Sequence, residues 1–147
     1  IISNKADLIN KWLCSWPSLP NNTGFLNFTA SHDGIGLRPL EGLLPTEDIE
    51  KMVRKAEEFG GRVTKRKRGD IDVPYELNIT YFDMLKGTFD GKDEHQIDRF
   101  IASQTIMMSI EGIPAFYVQS LFGAKNDLKK HQNYSLQVGR LPMIRTP

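Results

Sequence analysis

One short apolar stretch of the chain ends in two side chains that can do chemistry. Residues 25–30, FLNFTA, lead into His32 and Asp33, and Gly34 and Gly36 follow at once. A carboxylate can stabilise a developing positive charge, and an imidazole can donate a hydrogen bond or transfer a proton near neutral pH. The His-Asp dipeptide has two interpretations, a catalytic or binding pair and a capped turn, and in isolation it favours the turn.

Hydrophobic periodicity predicts three helices around this pair. Apolar residues recur at helical spacing in residues 5–16, 46–59 and 96–110. Thr46 is expected to cap the second helix, because a threonine hydroxyl can accept a hydrogen bond from the first helical turn. The apolar stripe predicted on that helix consists of Ile49, Met52, Val53, Ala56 and Phe59.

Two short apolar runs, residues 25–30 and 115–118, predict buried strands. Both lead into polar loops and helices lie between them, which favours a parallel α/β arrangement. In such sheets functional side chains gather beyond the carboxyl ends of the strands, where His32-Asp33 lies. Between the strands, the polar residues 62–78 predict a long irregular loop, and residues 77–85 predict a further short element.

The number of predicted strands is too small for a complete parallel fold. Two strands can neither close a barrel nor cover both faces of a parallel sheet. The sequence also begins without a methionine and inside an amphipathic pattern. These features predict that the chain is part of a larger fold.

Three blocks of the sequence resemble one family of carbohydrate-active enzymes. They are ASHDGIGLRPLEGLLP at residues 30–45, PYELNITYFDML at 74–85, and DRFIASQTIMMSIEGIPAFYVQSLFGAKND at 98–127. Together with the weaker block LINKWLCSWPSLP, they resemble glycoside hydrolase family 13, and within it the sucrose-phosphorylase-like subfamily. The resemblance covers roughly residues 8–127.

The resemblance implies an α/β fold class: a fragment of a (β/α)8 TIM barrel, with strands seven and eight, their helices and a long insertion. Residues 1–127 would be the late portion of the catalytic barrel, and the two predicted strands would be its strands seven and eight. Residues 34–93 would be the insertion after strand seven, and 94–110 the helix that returns from it. Residues 128–147 would be a divergent or truncated tail.

The resemblance also implies a function and a set of site residues. It implies part of a retaining glucoside phosphorylase or glucosyltransferase that acts on sucrose-like or glucosylglycerate-like α-glucosides. Asp33 would stabilise the positively charged transition state, and His32 would bind a hydroxyl of the same sugar. Tyr75 and Glu76 stand where sucrose phosphorylases carry a Tyr-Gln pair on the acceptor side, and PYELN resembles the glucosylglycerate or sugar-phosphate branches more closely than sucrose phosphorylases.

The resemblance further implies an aspartate nucleophile after strand four and a glutamate acid/base after strand five. Neither motif occurs in the 147 residues. The parent protein is therefore expected to be a hexosyltransferase, while the isolated chain is expected to be inactive. The alternative hypothesis is a non-catalytic carbohydrate-binding module or a barrel fragment that associates with itself.

Composition and motif spacing limit the cofactors and partners. The expected partners are an α-glucoside and phosphate as co-substrate, and a homo-oligomer is possible. No metal or organic cofactor is expected, because glycosyl transfer needs carboxylates and hydrogen bonds. A net charge of +1 gives no reason to expect nucleic acid, and the KRKR run at 65–68 has two readings, a solvated loop and a phosphate-binding segment. No apolar run is long enough to span a membrane. The lone Cys14 is expected to be buried and favours a reducing, cytoplasmic location.

Overall fold

The computed structural model describes residues 1–127, and the predicted tail 128–147 lies outside the described residues. In the described part, helices and short strands alternate along the chain. Their bounds are α1 Asp7–Cys14, β1 Leu26–Asn27, β2 Ile35–Gly36, a 3₁₀ turn Arg38–Leu40, α2 Thr46–Glu58, β3 Arg62–Arg68, β4 Ile71–Asn78, α3 Tyr81–Met84, β5 Gly87–Thr88, β6 Gly91–Lys92, α4 Gln96–Ser109, β7 Ile113–Pro114 and α5 Val118–Leu121.

The first and last strands pair in parallel, as expected, but they are largely exposed and not buried as predicted. Leu26 of β1 lies opposite Ile113 of β7. The Asn27 side-chain amide donates to the carbonyl oxygens of Ile110 and Glu111, each 3.2 Å away, and so ties the end of α4 to β1. A Cβ on Gly112, whose φ is +136°, would lie 2.8 Å from that amide, so glycine is required here. Asn27 therefore sets the position at which the second strand begins.

The second strand lies earlier in the chain than predicted. β7 covers Ile113–Pro114, whereas the predicted strand 115–118 leads into α5, which begins at Val118. The Asn27 side chain fixes where the pairing of β7 with β1 begins. The last backbone hydrogen bond between the two strands runs from the Ala115 amide to the Asn27 carbonyl oxygen, at 2.8 Å. The chain then leaves the sheet, so the residues after it turn towards the carboxyl end of β1.

The prediction of an irregular loop at 62–78 is wrong, because β3 and β4 form an antiparallel hairpin there. Arg68 pairs with Ile71, so the turn consists of Gly69 and Asp70, and Gly69 has a φ of +64°. Such a glycine turn matches the twist of a hairpin. The strands carry so many exposed charges that their alternation is hidden in the sequence. Lys67 and Asp72 even form a cross-strand ion pair at 3.1 Å.

A small core joins α2 to the sheet β2-β4-β3. Two of its buried members, Ala56 and Phe59, belong to the predicted stripe of α2, whose remaining members pack around the core. This confirms the apolar face predicted for that helix. The buried core residues are Leu37, Ala56, Phe59, Leu77, Ile79 and Met84.

Two details of the helices differ from expectation. Cys14 is exposed instead of buried, because it ends α1, a helix with no buried residue. Thr46 is the first residue of α2, and Pro45 occupies the capping position. Among residues 1–127, no helix is long and apolar enough to cross a membrane.

Replacement of Leu77 tests the core. Leu77 is 0% exposed, so Leu77→Ala should lower the free energy of unfolding by about 2–5 kcal/mol through lost burial and a residual cavity. Ile71→Ala, in the exposed part of the same strand, is the matched control and should change it by about 0.5 kcal/mol or less. Urea unfolding followed by circular dichroism measures both. Equal effects of the two variants would contradict the assignment of the core.

Candidate sugar site

A tight turn presents His32 and Asp33 just beyond β1. Ser31 and Gly34 exchange two backbone hydrogen bonds, at 3.1 and 3.2 Å, so that His32 and Asp33 form the tip. The Asp33 backbone amide also donates to Ser31 Oγ at 3.2 Å. This double pairing fixes the backbone of both predicted site residues.

Gly34 allows the chain to leave this turn close to another strand. Its φ is +122°, and a Cβ at this position would lie 2.2 Å from the carbonyl oxygen of Leu77. Only glycine permits such an approach. The chain then enters β2, in which Ile35 pairs with Leu77 and Gly36 pairs with Glu76 of β4. The turn is thereby held against the strand that carries the predicted acceptor residues.

Asn78 connects the two parts of the site. Its side-chain amide donates to the backbone oxygen of Asp33 at 3.1 Å and lies 3.4 Å from Oε2 of Glu76. Its own oxygen accepts a hydrogen bond from Thr64 Oγ1 at 2.6 Å, which fixes the orientation of the amide. Asn78 was not among the residues predicted for the site. Its position two residues after Glu76 on one strand, and therefore on the same face, is the signal that could have found it.

Two carboxylates and one imidazole meet at this point. His32 Nε2 lies 3.2 Å from Asp33 Oδ1, and their side chains are 59% and 35% exposed. Partial burial raises the pKa of Glu76, and the negative charge of Asp33 raises it further, while the Asn78 hydrogen bond and His32 act in the opposite direction. Glu76 therefore lies within the electrostatic field of the His-Asp pair.

Tyr75 lies apart from this group. Neighbouring residues of a strand point to opposite sides, and the exposed ring of Tyr75 has the guanidinium carbon of Arg66 5.9 Å from its centre. Arg66 in turn donates to Glu41 at 2.7 Å. The structure thus brings His32, Asp33 and Glu76 together, and places Tyr75 at a separate charged surface formed with Arg66 and Glu41.

A narrow cleft opens beside His32. It is about 20 Å³ in volume, roughly the room that one water molecule needs. The Tyr117 ring forms part of its wall, with its centre 6.5 Å from that of His32 and edge-on to it. The Tyr117 hydroxyl donates to Gln119 Oε1. Tyr117 was counted as a strand residue in the sequence analysis, and the earlier end of β7 is what brings it to the site.

Within residues 1–127, no cluster of three histidine, cysteine, aspartate or glutamate side chains is arranged to hold a metal ion. His95 lies on the surface between Glu94 and Asp98, at 3.7 and 3.3 Å.

Most of the chain is similar to proteins that are known as sugar phosphorylases. It is 43% identical over 120 residues to a glucosylglycerate phosphorylase of Escherichia coli and 45% identical over 123 residues to one of Allomeiothermus silvanus, covering 78% and 83% of this chain. The chain belongs to the sucrose-phosphorylase-like group of glycoside hydrolase family 13. The scan of protein-family models gave no match.

The family resemblance extends to the fold. A crystal structure of sucrose 6F-phosphate phosphorylase from Thermoanaerobacter thermosaccharolyticum superposes with a TM-score of 0.70, at 21% identity, over 95% of this chain and 27% of that one. The chain spans only about a fifth of the curated relatives, 21% and 22% of their lengths. The matched region mixes helices and strands.

Removal of the Glu76 charge tests the electrostatics. When folding raises the pKa of an acid, its neutral form stabilises the folded state at pH values below the ordinary pKa, which is 4.5 for glutamate. This stabilisation is lost as the pH rises through the pKa of the acid in the folded state. Glu76→Gln should therefore raise the melting temperature at pH 7 but not below pH 4.5.

Thermal unfolding at both pH values measures this effect. Glu57→Gln, on an exposed part of α2, is the control and should show no gain at either pH. A Glu76→Gln variant that is less stable than the wild type at pH 7 would show that the carboxylate is held by favourable contacts, contrary to the account above.

Proposed function

We propose that the chain is a segment of a retaining glucoside phosphorylase and supplies half of its sugar site. The observation that carries the proposal is the fixed turn that presents His32 and Asp33 beyond β1, against the strand that holds Glu76. Residues 1–127 form the late portion of a (β/α)8 barrel in this proposal, and 34–93 are its insertion. Membership of the phosphorylase family supports both parts.

Asp33 acts in this proposal by charge. The transition state of glycosyl transfer resembles an oxocarbenium ion, so a nearby carboxylate stabilises it once water is excluded. His32 hydrogen-bonds a hydroxyl of the same sugar ring. The nucleophile and the acid/base come from other parts of the barrel, and phosphate accepts the glucosyl group.

The acceptor side is proposed to favour a glucosylglycerate-like substrate over sucrose. Identities of 43% and 45% to two glucosylglycerate phosphorylases support this preference. Glu76 differs from the glutamine that the resemblance implies in sucrose phosphorylases. Since its pKa is raised, Glu76 can exist as a neutral acid more readily than an ordinary glutamate. In that form it donates a hydrogen bond to an oxygen of the molecule that accepts the glucosyl group. Tyr75, predicted on the acceptor side, lies on the opposite face of β4 with Arg66, so Glu76 is the residue on which this preference rests.

Open apolar surfaces support the barrel assignment. Leu26, Phe28 and Ile113 are exposed around the β1–β7 pair, although strands in parallel sheets are buried on both faces. An open apolar groove with a volume of about 660 Å³ lies between α1, β1 and α4, and its lining includes Trp12, Phe25 and Ile106. The remainder of a barrel would cover these surfaces.

A self-associating fragment is the second candidate. The same exposed residues could be covered by a second copy of the chain instead of by other barrel strands. Analytical ultracentrifugation tests this second candidate, which predicts a stable dimer of the 147-residue chain; a chain that stays monomeric would contradict it.

Catalysis is tested by grafting the chain into the matching segment of the Escherichia coli glucosylglycerate phosphorylase. The graft should release glucose 1-phosphate from glucosylglycerate and phosphate faster than from sucrose or sucrose 6-phosphate. Asp33→Asn should lower kcat on the order of 10²-fold or more, because it removes the charge that stabilises the transition state. Asp98→Asn, the same change at an exposed position of α4, is the control and should leave the rate unchanged.

Two results would contradict the proposal. One is an active graft in which Asp33→Asn has no effect. The other is release of glucose 1-phosphate by the isolated 147-residue chain that disappears in its Asp33→Asn variant, since the catalytic set would then be complete within it.

A further inference from the structure

Asp83 is a buried carboxylate that the proposed chemistry does not use. It belongs to α3 in the insertion and is 2% exposed. Burial of a carboxylate is unfavourable unless hydrogen bonds or an ion pair compensate for the lost water. The contacts of Asp83 therefore indicate what it holds in place.

Those contacts join the insertion to the segment that follows α5. Asp83 Oδ2 accepts a hydrogen bond from the Asn126 backbone amide at 2.7 Å. In the opposite direction, the Thr80 backbone amide donates to Asn126 Oδ1 at 2.8 Å. Thr80 also caps α3, since its hydroxyl accepts from the Asp83 amide at 3.2 Å. Three residues thus form a reciprocal clamp between positions that are 43 to 46 residues apart in the chain.

Within residues 1–127, Asp83 forms an ion pair with Lys86. Lys86 Nζ lies 3.1 Å from Asp83 Oδ1, an ion-pair distance without hydrogen-bond geometry. Lys86 is partly exposed, so its charge remains in contact with water. A hydrogen bond from a backbone amide to a carboxylate is stronger than one to a neutral acceptor. The bond from Asn126 is therefore the specific contact that Asp83 makes.

The clamped segment forms one wall of the cleft beside His32. Thr80 and Tyr81 line that cleft from the insertion, and Tyr117 and Ala124 line it from the clamped side. Gly123 approaches the insertion closely as well, since a Cβ on it would lie 3.2 Å from the Phe82 ring. The clamp at Asn126 and this close approach hold the segment in one position.

We propose that Asp83 is a positioning residue of the sugar site, which acts through Asn126 to hold Tyr117 against His32. The inference rests on the proposed function for its role in sugar binding. Asp83 itself touches neither His32 nor the cleft, so its effect passes through the clamped segment. Loss of the clamp should let Tyr117 move away while the core around Leu77 stays intact.

The test uses the 147-residue chain without any sugar, followed by nuclear magnetic resonance of the histidine rings. His32→Gln assigns the His32 signals, and Tyr117→Leu gives the shift expected when the Tyr117 ring current is lost. In Asp83→Ala and Asn126→Ala, the His32 signals should move at least half of that distance in the same direction, and the His32–Tyr117 cross-relaxation should weaken. Asp98→Asn is the matched control and should leave His32 unchanged.

The result that would overturn the proposal is an unchanged His32 shift and cross-relaxation in a folded Asp83→Ala chain. If Asp83→Ala does not fold, Asn126→Ala tests the other half of the clamp, because it keeps the Asp83 carboxylate with its bond from the Asn126 backbone amide and removes the side-chain amide whose oxygen accepts from Thr80. An unchanged His32 shift and cross-relaxation in that variant would overturn the proposal as well. A merely structural role of Asp83 predicts lower stability with unchanged His32 signals below the melting temperature. Because no substrate is present, this result is independent of whether the graft is active.

Discussion

The site depends on the pairing of β2 with β4, which Gly34 makes possible. Gly34 brings the backbone within a distance of Leu77 that any side chain would prevent. The pairing then places Glu76 opposite Gly36, and Asn78 next to the Asp33 backbone. A shift of this register by one residue would turn Glu76 and Asn78 to the other face of the strand and remove Asn78 from Asp33. One short antiparallel contact therefore couples the His32-Asp33 turn to Glu76 and Asn78.

The strength of the site's electrostatics depends on how much water reaches it. His32 is more than half exposed in this chain, so interactions among its charges are screened. A carboxylate stabilises an oxocarbenium-like charge most effectively in a dry site. The apolar surfaces around β1 and β7 are also open to water, because the described residues cover neither the sheet nor the site. The proposed barrel would supply both.

Sequence reasoning found the features that local chemistry determines. The apolar stripe of α2 follows from helical spacing, and the parallel pairing of two short strands follows from their order along the chain. The β3–β4 hairpin was missed because charged side chains occupy most positions of β3 and a proline interrupts β4, so the alternation is weak and only Gly69-Asp70 marks the turn. β7 was predicted too late in the chain because its position depends on the Asn27 side chain, which donates to the carbonyl oxygen of Ile110, 83 residues away. Contacts between distant residues, such as Asn78 with Asp33, lie beyond any local pattern.

The most direct test of this account is nuclear magnetic resonance of the isotopically labelled chain, directed at the β2–β4 pairing. Opposing residues of a non-hydrogen-bonded antiparallel pair have close α-carbons, so cross-relaxation between the α-protons of Gly36 and Glu76 is expected. The Leu37 amide, which donates to Tyr75 O at 3.0 Å, should exchange slowly with solvent. Signals from the β3–β4 hairpin show that the chain is folded. A folded hairpin without the Gly36–Glu76 contact, and with rapid exchange at Leu37, would contradict the account.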